Sequence, residues 1–274
     1  MQGVDNLSQI KMQIKENLSQ VKYKLLIISG KGGVGKTTVA VNLGYSLAVK
    51  KYKVGILDVD IHGPNVPKML GIENQRLTAS ESGRIEPVQV LPNLKVVSLA
   101  LVGEDPEKPV IWRGPLKTAV IRQFLAESNW QDLDFLIVDS PPGTGDEPLS
   151  VCQLICELDG AIVVATPQEV ALLDVKKSIL FAKELGVPII GIVENMSFFI
   201  CPHCQKKIDL LTTQKIEEII QKTGIQILGR LPFDIDVLRF QDRGRPFVYF
   251  NKDSEAAKIM DRITDKIVDF LVKK

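Results

Sequence analysis

Short apolar runs rich in β-branched residues alternate along this chain with longer segments whose apolar positions recur at helical spacing. The runs predict strands over residues 24–29, 54–58, 94–100, 135–139, 161–166, 189–193 and 225–229. The helical segments lie between and after them, over residues 37–50, 115–128, 147–157, 170–185, 213–223 and 254–272. Alternation of this kind specifies an α/β fold, a mostly parallel twisted sheet of about 7–8 strands with helices on both faces. No repeat or low-complexity linker divides residues 1–274, so one domain is expected, with residues 1–22 as a helical extension ahead of the first strand. Residues 71–93 and 196–209 read as long surface loops.

Composition narrows the function. The chain carries 34 Lys+Arg against 33 Asp+Glu, a formal charge of +1. That balance argues against a nucleic-acid binder or a protein held on anionic membranes, since both depend on surplus cations. Hydrophobic residues make up 45% and charged residues 24%, ordinary values for a folded globular chain. Apolar runs such as Leu25-Leu26-Ile27-Ile28 are far shorter than the roughly 18 residues of a membrane helix. The first residues have no apolar signal core, so the expected location is the cytoplasm, and the 4 cysteines point to thiols or metal rather than disulfides.

Directly after the first apolar run stands Gly30-Lys31-Gly32-Gly33-Val34-Gly35-Lys36-Thr37-Thr38, a Gly-x-x-x-x-Gly-Lys-Thr motif between a predicted strand and a predicted helix. Such a P-loop curls backbone N–H groups around phosphate oxygens, and the helix N-terminus adds favourable potential. Lys36 is expected to reach the β- and γ-phosphates of ATP, and Thr37 to offer its hydroxyl to Mg²⁺. The chain is therefore expected to be a P-loop NTPase. A P-loop also needs a metal-holding carboxylate at a neighbouring strand end, which Asp139 supplies after Phe135-Leu136-Ile137-Val138. Gly143, in the following Pro-Gly turn, can donate its N–H to a γ-phosphate. In Leu57-Asp58-Val59-Asp60, Asp60 is the better candidate for orienting the attacking water or holding a metal-bound water, with Asp58 either a partner or a turn carboxylate.

Cys201-Pro202-His203-Cys204 brings two soft thiolates to one side of a turn. A tetrahedral zinc or a 4Fe-4S cluster takes four ligands, and the sequence has no second C-x-x-C. Two chains facing each other across a two-fold axis would supply the missing pair. A redox dithiol and a zinc knuckle completed by His203 stay open as alternatives. Cys152 and Cys156 share one face of a predicted helix with Leu154, Ile155 and Leu158 nearby, and read as buried inert thiols. His62 reads as a solvated residue of the loop after Asp60. The last helix has Ala256, Met260, Ile263, Ile267 and Leu271 on one stripe; its mixed-charge polar face favours core packing over a membrane anchor.

Lys31 resembles the signature lysine of the deviant Walker A ATPases, the class of MinD, ParA, ArsA and the nitrogenase iron protein. Within that class, Asp58-Val59-Asp60-Ile61-His62-Gly63-Pro64-Asn65-Val66-Pro67, then Trp112-Arg113-Gly114-Pro115, and Glu194-Asn195-Met196-Ser197 leading to the cysteine pair are similar to the Mrp/ApbC iron–sulfur cluster carriers. The likeness spans residues 24–250. It implies an ATP-hydrolysing homodimer in which Lys31 reaches the partner's phosphates, Asn195 hydrogen-bonds the adenine, and residues 196–209 form a dimerisation loop. A 4Fe-4S cluster bridging Cys201 and Cys204 of two chains would pass to apo iron–sulfur proteins. The runner-up is a MinD/ParA-like positioning or partition ATPase. The sequence departs from some eukaryotic relatives in lacking an N-terminal cysteine cluster, and no accessory domain precedes the P-loop, so partner arguments built on those do not transfer.

Overall fold

The computed structural model describes residues 2–60, 63–102, 114–155, 157–168, 171–210 and 223–273. Among these, one nine-stranded sheet forms the centre of the molecule. Strands β1 (Val21–Ile28), β2 (Val54–Asp58), β6 (Leu94–Ser98), β7 (Leu133–Asp139), β8 (Gly160–Ala165), β9 (Ile189–Ile200) and β11 (Ile227–Pro232) correspond to the seven predicted runs. Their order is β9-β8-β1-β7-β2-β6, all parallel, with β11 parallel to β9 on its far side. The central strands are Val-, Ile- and Leu-rich because both their faces are covered.

The two expected loops contain more structure than the pattern suggested. Residues 71–93 hold a small pair, β3 (Thr78–Ala79) with β4 (Ile85–Glu86), and then β5 (Val88–Leu91), which turns back antiparallel onto β6. Strands two to four residues long give too few alternations to register as a period. Residues 196–209 are a hairpin rather than a loop. β9 runs to Ile200 instead of ending at residue 193, and β10 (Lys207–Asp209) returns antiparallel along Phe198, Phe199 and Ile200.

Helices cover both faces. Against one lie α1 (Gln2–Leu18), α4 (Gly114–Glu127), α5 (Asp146–Leu154) and α6 (Ala171–Glu184), with Ile14, Leu18, Phe124, Leu125 and Ile179 in a shared core. The other face packs α2 (Lys36–Val49), α3 (Val66–Leu70), α8 (Phe247–Phe250) and α9 (Glu255–Val272), while α7 (Ile235–Asp242) sits beside α3 and α8. The α9 stripe is fully committed: Ala256, Met260, Ile263, Ile267 and Leu271 are all buried, against α2 and β11. At roughly 1.5–3 kcal/mol per large aliphatic side chain, that packing holds α9 on the domain and leaves no apolar face for a bilayer. No helix among the described residues is long and apolar enough to cross a membrane. The predicted helix over 213–223 lies outside the described residues except for Thr223, as do Trp112, Arg113, Ile61, His62 and Cys156.

Candidate functional site

The parallel strands end at one edge of the sheet in polar residues: Ser29 after β1, Asp58 on β2, Ser98 on β6, Asp139 on β7 and Thr166 after β8, all buried. Strand register brings them together, with Asp58 paired to Ser98 on one side and to Asp139 on the other. In open α/β sheets ligands bind at this edge, in the crevice beyond the strand ends. Here the P-loop and the loop after β2 wall a cleft of about 420 Å³ lined by Gly32, Gly33, Lys36, Thr37, Asp60 and Pro142 among others.

The P-loop is shaped by its glycines. Gly33 and Gly35 adopt φ of 78° and 86°, and a Cβ at Gly35 would fall 2.1 Å from Asn195 Nδ2. Lys36 then opens α2 with its ammonium buried between two carboxylates, 2.5 Å from Asp139 Oδ1 and 3.5 Å from Asp60 Oδ2. Thr37 Oγ1 donates to the other oxygen of Asp139 at 2.7 Å. A cation thus rests between Asp139 and Asp60 beside a hydroxyl, and that donor set of hard oxygens fits Mg²⁺. Gly143, at φ 94°, donates its N–H to Ser29 O at 2.8 Å. Lys31 turns to its own chain, where its Nζ donates to Gln168 Oε1 at 2.9 Å. Asn195 lies within β9, and its Nδ2 donates to Val34 O at 2.9 Å.

Sequence reasoning missed three supports of this site. Ser98 Oγ donates to Asp58 Oδ2 at 2.8 Å, and the backbone N–H groups of Asp60 and Val66 point to the same carboxylate, at 3.2 and 3.4 Å. Asp58 is therefore a buried post under the loop and not a turn residue. Gln241 on α7 donates from Nε2 to Thr38 Oγ1 at 2.6 Å, and Gln168 holds Lys31. Ser98 lies inside the strand predicted over 94–100, where a polar residue in an apolar run was its one signal; no local pattern marks Gln241 or Gln168.

Burial raises the carboxyl of Asp58 to about 8, helped by the charge of Asp139 and opposed by Ser98 and Lys36. Asp139 is raised too, chiefly by burial, with Lys36 and Thr37 opposing. A carboxyl whose folded value lies above its unfolded one gives its full stabilisation below about pH 4 and loses it as pH rises through the folded value. Ligand-free protein should therefore lose heat stability between about pH 4 and pH 8. Asp58→Asn should melt about 3–8 °C above the parent near pH 9, the gap shrinking toward pH 5, by scanning calorimetry. Parallel melting curves for the two proteins across that range would count against a buried, proton-holding Asp58.

The cysteine pair sits at the tip of the β9–β10 hairpin. Cys201 N donates to Lys206 O at 3.0 Å and Gln205 N to Cys201 O at 2.9 Å, with Gln205 at φ 57° closing the turn. Cys201 is half-buried and Cys204 and His203 are exposed. Hydrogen bonds from the backbone of Cys204 and His203, and from the Cys204 side chain, hold the Cys201 thiol below its ordinary range, which favours the thiolate that binds metal. Among the described residues no third His, Cys, Asp or Glu joins the pair, so a zinc knuckle completed within the chain has no support there. Cys152 is buried on α5 and its thiol is pushed up to about 12, as an inert packing residue should be.

With this geometry in view, the likenesses to known proteins are informative. The chain is 48% identical over 263 residues to the iron-sulfur cluster carrier protein of Methanocaldococcus jannaschii, covering 95% of this chain and 90% of that one. It is also 48% identical to the protein of the same name from Pyrococcus furiosus, covering 98% and 92%. Among solved structures, a nucleotide-binding protein from Archaeoglobus fulgidus in complex with ADP matches with a TM-score of 0.76 at 37% identity, over 86% of this chain and 92% of that one. The cell division ATPase MinD of Pyrococcus furiosus shares the fold, with a TM-score of 0.67 at 24% identity, over 91% and 99%. Residues 20–268 match the family model of the ParA-type NUBPL iron-transfer P-loop NTPases. A P-loop, paired strand-end carboxylates and a relative-wide likeness over nearly the whole length agree, and the chain belongs to the NUBPL iron-transfer P-loop NTPase family.

Proposed function

We propose that the protein is an ATP-hydrolysing carrier of iron–sulfur clusters, working as a homodimer that holds one 4Fe-4S cluster between the Cys201 and Cys204 pairs of two chains and delivers it to apoproteins. The observation that carries this reading is β9, one strand with a nucleotide-site residue at one point and the cysteine turn at its end. Asn195 on β9 buttresses the P-loop, and six residues later Cys201 begins the exposed thiol turn. Its Nδ2 being engaged by Val34, Asn195 keeps Oδ1 to accept from the amino group of adenine. The carrier names of its relatives support the same cargo.

In this reading Lys36 leaves Asp139 and Asp60 for the β- and γ-phosphates, and the P-loop amides cradle the phosphate oxygens. Thr37 and Asp139 would hold Mg²⁺ directly, with Asp60 reaching it through water; when bound, Mg²⁺ neutralises charge on the transferring phosphoryl group. Asp60 is placed to orient the attacking water. Gly143 gives up Ser29 O to meet the γ-phosphate, so the Pro-Gly turn moves with nucleotide state. The positioning or partition reading loses its membrane arm to the buried α9 stripe.

The test is anaerobic reconstitution with iron and sulfide, followed by optical spectroscopy, iron counting and measurement of mass in solution. About four irons per two chains in a dimer is expected; a monomer with a stable cluster, or no cluster, would refute the bridging site. Lys31 offers a second test. If it serves the partner's phosphates, Lys31→Ala impairs ATP hydrolysis, and mixing it with Lys36→Ala chains changes activity in proportion to heterodimer formed. Strictly additive activity, with heterodimers demonstrated, would place a complete site in each chain.

A further inference from the structure

Beyond the nucleotide cleft and the cysteine tip, the outer side of β11 borders a groove of about 540 Å³. Its two walls come from different elements. Lys207 projects from β10 on one side, with its Nζ 4.0 Å from the centre of the Phe198 ring. From α9 on the other side come Arg262 and Lys266, both exposed, and Arg230 lies on β11 between them. Phe198 and Ile259 give the groove an apolar floor.

The charge in the groove is one-sided. Among the described residues Glu255 is the single carboxylate in its lining, and it lies 3.4 Å from Arg262. Glu194, buried behind the floor, pairs with Arg230 at 3.0 Å. Among the described residues the lining thus carries Lys207, Arg230, Arg262 and Lys266 with Glu255 as its carboxylate, in a chain whose total charge is only +1. The Lys266 ammonium donates to Leu228 O at 2.7 Å, covering a carbonyl of an edge strand that pairs only with β9 among the described residues. A lysine in that position blocks strand addition, so the groove is built for side chains of opposite charge rather than for another strand.

The groove and the thiols share one hairpin. Lys207 is the register partner of Ile200, the residue before Cys201. Anything seated between Lys207 and Arg262 lies beside the strand that ends at the cysteines.

We infer that this groove docks an acidic, partly apolar segment of a partner protein, and, resting on the carrier reading above, that the partner is the apoprotein receiving the cluster. The apolar floor and the small number of cations distinguish it from a nucleic-acid track, which needs a longer basic stripe. Docking there would bring the recipient to the cysteine tip while leaving the nucleotide cleft open.

The experiment measures fluorescence anisotropy of a short labelled peptide alternating glutamate with leucine and phenylalanine, on the full-length protein at low and at physiological salt. Lys207→Glu combined with Arg262→Glu should weaken binding about tenfold or more, and Lys207→Gln with Arg262→Gln by a smaller factor. The thermal melting midpoint by circular dichroism should stay at the parent level in both, which reports folding. The proposal is overturned if the parent protein does not bind the peptide, if a glutamine-for-glutamate peptide binds equally well, or if neither variant weakens binding. It is equally overturned if labelled single-stranded DNA or inorganic tripolyphosphate binds more tightly and is lost in the same variants. Iron and sulfide per chain, read on the same samples, separate the two levels: a parent that takes up no cluster counts against the carrier reading, while lost peptide binding with full cluster uptake supports the groove.

Discussion

Lys36→Ala should lower ATP turnover by about 10²–10³-fold, the loss expected when one preorganised donor to a developing phosphoryl charge is removed. The structure shows why the effect reaches beyond catalysis. The Lys36 ammonium is the counter-ion of Asp139 and Asp60, and it opposes the upward shift of both Asp58 and Asp139. Taking it away removes the ammonium that neutralises the buried Asp139 and Asp60, at a cost of about 3–5 kcal/mol if they stay ionised. They avoid that cost by holding protons, so the variant should melt below the parent at pH 8 and close to it near pH 5. Asp60→Ala gives the contrasting pattern: turnover falls more than nucleotide affinity, because orienting water matters in the transition state. Single-turnover hydrolysis with labelled ATP, alongside equilibrium nucleotide binding, separates the two. Equal losses of affinity and turnover in Asp60→Ala would remove Asp60 from the catalytic role.

The parts of this site that are legible in the sequence are those made by contiguous residues. The glycine pattern of the P-loop requires its own backbone conformation, and Asp139 and Asp60 follow apolar runs whose ends mark the edge of the sheet. What stayed hidden depends on distant chain. Asp58 reads from its neighbours as a possible turn residue, and only the register of β2 beside β6 buries it under Ser98. Gln241 and Thr38 are 203 positions apart and meet only because α7 packs beside α3, near the start of α2. The hairpin was hidden for a different reason. Met196, at φ 56°, interrupts the extended backbone just after Asn195, so the strand that continues through Phe198 and Phe199 looks like the start of a loop. The same interruption lets one strand serve both the nucleotide pocket and the thiols.

Replacing Cys201 or Cys204 by serine should reduce iron from about two per chain to near zero after reconstitution, since a cubane cluster takes four thiolates and each chain offers two at this turn. Serine keeps the size and the turn: the bonds that close it run through backbone atoms of Cys201, Gln205 and Lys206 and survive the change. ATP binding should therefore persist in both variants, because the P-loop, Asp139 and Asn195 contacts do not involve the hairpin tip. Cys152 is the internal control. It is buried on α5 with a thiol pushed up to about 12, so it is protonated at any working pH and its serine variant should lose packing energy but no iron. Hydrogen bonds stabilise the Cys201 thiolate, so alkylation of Cys201 in the apo protein should set in at lower pH than for an ordinary cysteine thiol. Mixed dimers sharpen the stoichiometry: a Cys201→Ser chain paired with a parent chain leaves three thiolates, and its cluster should be lost faster than the parent's on exposure to chelator. Full cluster retention in either tip variant, or loss confined to Cys152→Ser, would show that the cluster is held elsewhere.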